Sequence, residues 1–226
     1  MSNPSDDTPV LFAGDDDVWC QVVNRTPGPV RRGALFLDRD GVMVEEHPYL
    51  HRIEDARMVP GTVAAIRAAN ARAVPVVVVT NQGGIALGHY DWPEFARLHD
   101  WIWERLAEAD AFVNAILACP HHPEGRGLLR ATNHPDRKPN PGMILRALDI
   151  LPIDAARSWI VGDREVDVQA AKAAGLAGAV HMRSAHKDFE AARTKAAALA
   201  DASFRVRACD DPDKLTEVLA PLWAQA

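Results

Sequence analysis

The sequence contains few cysteines and no long apolar run. Cys20, Cys119 and Cys209 are the only cysteines among 226 residues, and they are widely spaced, which excludes the disulfide framework of small secreted proteins. No segment approaches the roughly 20 apolar residues that a membrane-spanning helix needs. The first residues also lack a basic region followed by an apolar stretch. We therefore expect a cytoplasmic protein without a membrane partner.

Basic charge is also scarce. The chain has 25 Lys and Arg against 31 Asp and Glu, a formal net charge of −6, so nothing supplies the dominant basic face of a nucleic-acid-binding protein. Aromatic residues make up 6% and hydrophobic residues 48% of the chain, which is ordinary globular composition. The length favours a single domain. We expect a monomer that does not bind nucleic acid.

The chain divides into an irregular beginning and an alternating remainder. Residues 1–33 carry three consecutive aspartates and little periodicity, which predicts an N-terminal extension, with the domain over 34–226. In the domain, the patterns predict strands at 34–37, 76–79, 112–118, 158–161, 177–182 and 204–206, and helices at 62–73, 91–109, 142–151, 166–174, 189–200 and 213–223. This alternation indicates an α/β fold whose mostly parallel sheet binds ligands at the strand carboxyl ends.

Two carboxylates follow the first predicted strand. Asp38 and Asp40 lie two residues apart, and Gly41 allows a tight exit from the strand. A carboxylate beside a hard divalent cation stays ionised and can attack phosphorus, so Asp38 is the predicted nucleophile. Asp40 can protonate the departing alkoxide and then deprotonate water. Taken alone, the pattern is equally consistent with a solvated turn.

A polar segment follows the second predicted strand. Thr80, Asn81 and Gln82 precede two glycines, and this hydroxyl, the amides and the glycine backbone can cradle phosphate oxygens. Alone, the segment is an ordinary strand-to-helix cap.

Charged residues complete the pattern. Lys138 can neutralise a phosphoryl group, and Arg137 can bind a second anionic group of the substrate. Asp163 follows another apolar strand and can complete a magnesium site, and Asp167 can orient its neighbours. Each segment alone is unremarkable, but together they supply the positioning and charge neutralisation of phosphoryl transfer.

These motifs resemble the haloacid dehalogenase-like phosphatases. The matching segments are Asp38–Gly41, Thr80, Lys138 and Gly162–Asp167. More narrowly, the sequence is similar to the branch of heptose 1,7-bisphosphate 7-phosphatases and histidinol-phosphatases, over Ala34 to Arg183. The resemblance implies a Rossmann-like three-layer α/β/α core without a large cap domain. It also implies a magnesium ion bound by the carboxylates of Asp38 and Asp163 and by the backbone carbonyl of Asp40. Arg137 is then expected to recognise a small phosphorylated metabolite.

The branch also suggests a structural zinc ion. Its members often bind zinc through a Cys-x-His pair and a later Cys-x-Cys pair. Here the first pair is Cys119 and His121, and His134 and Asp136 replace the second. Cys, two His and Asp can form a tetrahedral zinc site; the alternative is that they are ordinary loop residues.

The role of Tyr49 and the choice of activity each have more than one interpretation. Tyr49, in a segment after the nucleophile strand, is a candidate wall of the substrate pocket, or part of a surface turn closed by Pro48. The activity is predicted to be that of a heptose bisphosphate phosphatase, with histidinol-phosphatase or another small-metabolite phosphatase as the alternative. A phospho-acceptor signalling domain and an inactive binding protein fit the motifs less well, because signalling domains lack Asp-x-Asp-Gly and every residue needed for chemistry is present.

Overall fold

A computed structural model describes residues 10–11, 18–24 and 30–224. Its strands are β1 Val10–Leu11, β2 Trp19–Val22, β3 Leu35–Leu37, β4 Val76–Asn81, β5 Ala115–Cys119, β6 Trp159–Gly162, β7 Gly178–Met182 and β8 Arg205–Cys209. They form one eight-stranded sheet in the order β1-β2-β5-β4-β3-β6-β7-β8. The β1–β2 and β2–β5 pairs are antiparallel, and all the other pairs are parallel.

Helices connect the parallel strands. They are α1 Pro60–Asn70, α2 Gly83–Leu87, α3 Trp92–Glu108, α4 Gly142–Ile150, α5 Glu165–Ala173, α6 Phe189–Ala197, α7 Leu215–Val218 and α8 Ala220–Trp223. Short 3₁₀ turns occur at Ile53–Asp55, Gly127–Leu129, Ala155–Arg157 and Pro212–Lys214. None of the described helices combines the length and the apolarity that crossing a membrane requires.

The central strands are buried on both faces. Every residue of β3, β5, β6 and β7 is buried, and the side chains divide between two apolar clusters, one on each face of the sheet. Continuous apolar runs are typical of parallel strands covered by helices on both sides. The predicted α/β class with a mostly parallel sheet is therefore confirmed.

Part of the segment 1–33 joins the sheet. β2 pairs with β5 over four residues, from Trp19 opposite Ala118 to Val22 opposite Ala115, and Cys20 is buried in the core. The sequence analysis assigned no strand here because two to four residues are too few to show periodicity. The remaining residues of the predicted extension, 1–9, 12–17 and 25–29, lie outside the described residues.

Several predicted boundaries move for local reasons. The helix predicted at 62–73 begins at Pro60, whose fixed φ suits a first turn, and ends before Ala73, which has a φ of +53°. The helix predicted at 213–223 is divided into a 3₁₀ turn, α7 and α8, and Pro221 lies in the first turn of α8. Gly83–Leu87, which was not predicted as a helix, forms α2.

Candidate active site

The carboxyl ends of three neighbouring strands meet at one edge of the sheet. Leu37, the last residue of β3, pairs with Val78 of β4 and with Val161 of β6. Asp38 therefore follows β3 at the level of Val79, one residue before Thr80, and of Gly162, one residue before Asp163. This register brings together motifs that are separated by more than a hundred residues in the sequence.

Lys138 lies between two of the acids. Its Nζ is 3.0 Å from Oδ1 of Asp38 and 2.6 Å from Oδ1 of Asp167, and it donates to the carbonyl oxygen of Val79 at 2.8 Å. All four residues are buried. Burial alone lowers the pKa of Lys138, but Asp167 and Asp38 outweigh it and raise that pKa above its usual value. The ammonium group is therefore held charged and in a fixed position.

Asn81 fixes the backbone of Lys138. Its side-chain amide donates to the Lys138 carbonyl oxygen at 2.9 Å, and its side-chain oxygen accepts from the Lys138 N–H at 3.0 Å. Asn81 was predicted to contact substrate. In the structure both ends of its amide bond the backbone of Lys138, and the residue also lines the cleft.

Two side chains hold Asp40. The Arg39 guanidinium donates from Nε to Oδ1 at 3.0 Å and from Nη2 to Oδ2 at 2.9 Å, and Nε2 of Gln82 donates to Oδ2 at 3.0 Å. Arg39 is only 1% exposed and also donates to the carbonyl oxygen of Leu50. The carboxyl group of Asp40 is therefore restricted to one orientation at the rim of the site.

Tyr90 extends this network beyond the sequence motifs. Its hydroxyl donates to Oε1 of Gln82 in a short hydrogen bond, and Nε2 of Gln82 also donates to Oγ1 of Thr80 at 2.7 Å. Gln82, a predicted substrate contact that also lines the cleft, bonds Tyr90, Thr80 and Asp40 through its side chain. Tyr90 lies outside every motif, so no local pattern pointed to it.

Three aspartates form a candidate cation site. Single carboxylate oxygens of Asp38, Asp163 and Asp167 lie within 4.8 Å of one another. Both carboxylate oxygens of Asp163 are buried and lack a hydrogen-bond partner of normal geometry among the described residues, and the Ser184 side chain is close enough to act against the rise in the pKa of Asp163. Burial, with the charges of Asp167 and Asp38, raises the pKa of Asp163 to about 8. Buried carboxylate oxygens of this kind suit a hard divalent cation such as magnesium.

Gly41 makes this arrangement possible. Its φ is +74°, in the region that favours glycine. A Cβ atom at this position would lie 2.4 Å from Oδ2 of Asp163. The chain can therefore turn away from Asp40 directly beside the Asp163 carboxylate.

The site opens into a cleft of about 650 Å³. Besides the acids and Lys138, its walls include Tyr49, Arg137 and Arg164. Tyr49 is 47% exposed and stacks on His89, with 4.0 Å between ring centroids. Arg137 is half-buried and donates to the carbonyl oxygen of His121 at 2.8 Å. The predicted catalytic, magnesium and substrate residues, except the buried Thr80, thus line one cleft.

Sequence comparisons identify relatives of this chain. The HAD-hydrolase-like family model matches residues 136–202. A heptose-1,7-bisphosphate 7-phosphatase from Mesorhizobium japonicum is 44% identical over 160 residues, covering 71% of this chain and 74% of the relative. The same enzyme of Escherichia coli K12 is 41% identical over 151 residues, covering 67% and 79%. The chain belongs to the haloacid dehalogenase-like phosphatases.

Solved structures of this family agree. A crystal structure described as a HAD-like phosphatase from Mesorhizobium loti superposes with a TM-score of 0.84 at 36% identity, covering 95% of this chain and 97% of the other. A D,D-heptose 1,7-bisphosphate phosphatase from B. bronchiseptica, complexed with magnesium and phosphate, has a TM-score of 0.66 at 30% identity, covering 83% and 98%. As a phosphatase of this family, the chain is a phosphomonoester hydrolase with a Rossmann-like core and no large cap domain.

The residues predicted as zinc ligands do not fit tetrahedral zinc in their present arrangement. Among the residues that the structure describes, the aspartate cluster is the one group of three or more His, Cys, Asp or Glu whose ligand atoms converge. Sγ of Cys119 lies 3.8 Å from Nδ1 of His134, but that nitrogen accepts the backbone N–H of Asp136 at 3.2 Å. The rings of His121 and His134 stack face to face at 3.8 Å.

Asp136 is also bound by a cation of the protein itself. Arg146 donates to Oδ1 from Nε at 2.8 Å and to Oδ2 from Nη2 at 2.9 Å. A zinc ion on this carboxylate would lie against a guanidinium group that is always charged. The predicted set of Cys119, His121, His134 and Asp136 therefore does not fit tetrahedral zinc, because its carboxylate serves an ion pair.

Proposed function

We propose that this phosphatase uses magnesium and Asp38 to hydrolyse the 7-phosphate of a heptose 1,7-bisphosphate. The observation that supports the mechanism best is the position of Lys138, 3.0 Å from Asp38, whose carboxylate converges with those of Asp163 and Asp167. A nucleophile, a fixed cation and a candidate metal site share one cleft, as phosphoryl transfer requires.

Asp38 is the proposed nucleophile. One of its carboxylate oxygens bonds to phosphorus while the bond from phosphorus to the sugar oxygen breaks, giving an aspartyl-phosphate and a departing alkoxide. Lys138 holds its positive charge where negative charge gathers on the phosphoryl oxygens. Asp38, Asp163 and the backbone carbonyl of Asp40 would hold magnesium, which would supply the positive charge that lets two anions approach.

Asp40 is the proposed general acid and base. Its carboxyl group gives a proton to the departing sugar oxygen and then takes one from the water that attacks phosphorus. That attack breaks the bond to Asp38 and releases inorganic phosphate. Arg39 and Gln82 position Asp40 for both transfers. The bond from Gln82 occupies a lone pair of Thr80, which leaves the hydroxyl proton for a phosphoryl oxygen.

The charges around the cleft favour a substrate with two phosphates. Arg137 and Arg164 both line the cleft, and burial and the charge of Arg164 lower the pKa of Arg137. Two cations close enough to interact suit a second anionic group better than the ammonium group of histidinol phosphate. Tyr49 forms an aromatic wall beside them. The heptose bisphosphate phosphatases among the relatives support the same choice.

A substrate comparison tests this proposal. We expect kcat/KM for D-glycero-β-D-manno-heptose 1,7-bisphosphate to exceed that for histidinol phosphate by at least about a hundredfold, since a site built for a polar group discriminates strongly against a substrate that lacks it. Phosphorus NMR of the product should show the anomeric phosphate retained. Equal or faster turnover of histidinol phosphate would assign the chain to that activity instead.

A further inference from the structure

The connection between β5 and α4, residues 120–141, carries two residues of the cleft. Arg137 and Lys138 lie near its end, and the connection has only one short 3₁₀ turn, at Gly127–Leu129. A long segment with so little regular structure needs specific contacts to hold it in one conformation. Asp136, directly before Arg137, makes one of these.

The Asp136 carboxylate is buried and doubly bonded. Its side chain is 2% exposed, whereas that of Arg146 is 38% exposed. The two donors of Arg146 meet the two oxygens of Asp136 at 2.8 and 2.9 Å. This fork-to-fork geometry fixes orientation as well as distance, and a buried carboxylate without such a partner is strongly unfavourable.

Arg146 belongs to a helix that is firmly packed. It lies one turn into α4, whose Met143, Ile144 and Ala147 are buried in the core against the sheet. The ion pair therefore ties the residue before Arg137 to a rigid element.

The turn around Asp136 is closely packed. The Gly142 N–H donates to the carbonyl oxygen of Pro135 at 3.0 Å, and Nδ2 of Asn140 donates to the carbonyl oxygen of His134 at 2.8 Å. A Cβ atom at Gly142 would lie 2.7 Å from Oδ1 of Asp136. Oδ2 of Asp136 lies 3.8 Å from Nδ1 of His134, but both carboxylate oxygens already accept from Arg146.

We propose that Arg146 is a positioning residue that holds the connection 120–141, and with it Arg137 and Lys138, through its ion pair with Asp136, so that this phosphatase needs no zinc. The inference rests on the proposed roles of Arg137 and Lys138. Its main tests use the protein without substrate, so their outcome is independent of the proposed activity.

Metal analysis and hydrogen exchange of the wild-type protein form the first test. Protein purified without chelator should contain far less than one zinc per chain. Treatment with EDTA followed by magnesium should leave amide exchange in 120–141 unchanged. One zinc per chain, or faster exchange of this segment after zinc removal, would overturn the proposal.

Variants of Arg146 form the second test. Arg146→Met should speed amide exchange in 120–141 by at least about tenfold, since it removes two charge-assisted hydrogen bonds, while β3 and β6 keep wild-type exchange. Arg146→Lys, which keeps the charge but not the fork, should fall between the two. Arg97→Met, at an exposed arginine of α3, is the matched control. Unchanged exchange of the segment in Arg146→Met would contradict the role of the ion pair. If that variant unfolds globally, Arg146→Lys decides by the same criterion.

A kinetic measurement separates positioning from general stability. Arg146→Met should raise KM for the bisphosphate about tenfold, because Arg137 loses its alignment with the second phosphate. KM for p-nitrophenyl phosphate, which has no second phosphate, should change less than about twofold. An equal rise for both substrates would show that Arg146 does not act through Arg137.

Discussion

The Nζ of Lys138 lies 2.6 Å from a carboxylate oxygen of Asp167, and both side chains are buried. Asp167 has no chemical role in the proposed mechanism. It is nevertheless nearer to the lysine than Asp38, the proposed nucleophile, whose Oδ1 lies 3.0 Å from Nζ. In that mechanism Asp167 therefore keeps Lys138 charged and in place when Asp38 is phosphorylated.

Asp167→Asn tests this role. The amide is nearly isosteric but uncharged, so Lys138 loses the neighbour that contributes most to its raised pKa. We expect kcat to fall by about 10²-fold or more, the scale reported for losing one preorganised electrostatic group, with the Rossmann-like fold retained by circular dichroism. Asp100→Asn, at an exposed acid of α3, should keep wild-type kcat. Activity within a few-fold of wild type in Asp167→Asn would remove the lysine-positioning role.

Tyr90→Phe tests the network around Asp40. The change removes the hydroxyl that donates to Gln82, so the amide that orients Asp40 and Thr80 loses one restraint. We expect kcat to fall about tenfold with KM little changed, because the lost contact orients the acid and base rather than the bound substrate. Steady-state kinetics provides the measurement. A rise in KM at constant kcat would mean that Tyr90 acts on substrate binding instead.

His99 makes stability depend on pH. Its Nδ1 lies 2.7 Å from the carbonyl oxygen of Phe95, and burial, with the charge of Arg39, lowers its pKa from 6.5 to about 3. Above pH 6.5 the ring is neutral in both the folded and the unfolded states. As the pH falls toward 3, only the unfolded state takes up the proton, so folding is progressively destabilised.

The corresponding variant is His99→Leu. Between pH 6.5 and 4.5, the wild-type free energy of unfolding should fall by about 2 to 3 kcal/mol more than that of the variant. Urea titrations at several pH values give both curves. Parallel curves would show that His99 is accessible to protons in the folded protein.

The packing of β2 against the core can be tested by substitution. Cys20 is 4% exposed and packs in the same cluster as Phe36 and Leu117, whereas the neighbouring Gln21 is half-buried on the other face. Cys20→Asp places an unpaired charge in the core and should lower the free energy of unfolding by about 3 kcal/mol or more. Gln21→Asp is the matched control and should cost less than about 1 kcal/mol. Equal losses of unfolding free energy in the two variants would show that Cys20 does not pack in the core.

The sequence was most informative where chemistry follows a strand. Asp38, Thr80 and Asp163 each end an apolar run, so the shared edge of a parallel sheet was enough to predict that they meet. The roles of Asn81 and Gln82 were not predictable in this way. Which partner an amide chooses depends on side chains that converge from distant segments, such as Lys138 and Tyr90.

The zinc prediction did not take Arg146 into account, for a related reason. Its four residues have suitable chemistry and spacing, but Arg146 lies ten residues after Asp136, on a helix, and only the fold brings the two side chains together. Likewise, β1 and β2 are too short to show a pattern. β2 forms because the edge of β5 offers unpaired backbone groups, and β1 pairs with β2.

The most direct test of the mechanism is magnesium-dependent phosphate release by Asp38→Asn. An amide cannot serve as the nucleophile, so we expect kcat to fall by at least about a thousandfold, with the thermal unfolding midpoint within a few degrees of wild type. A tenfold loss corresponds to only about 1.4 kcal/mol of activation free energy. A folded Asp38→Asn protein that retains a tenth or more of wild-type activity would therefore contradict the aspartyl-phosphate mechanism.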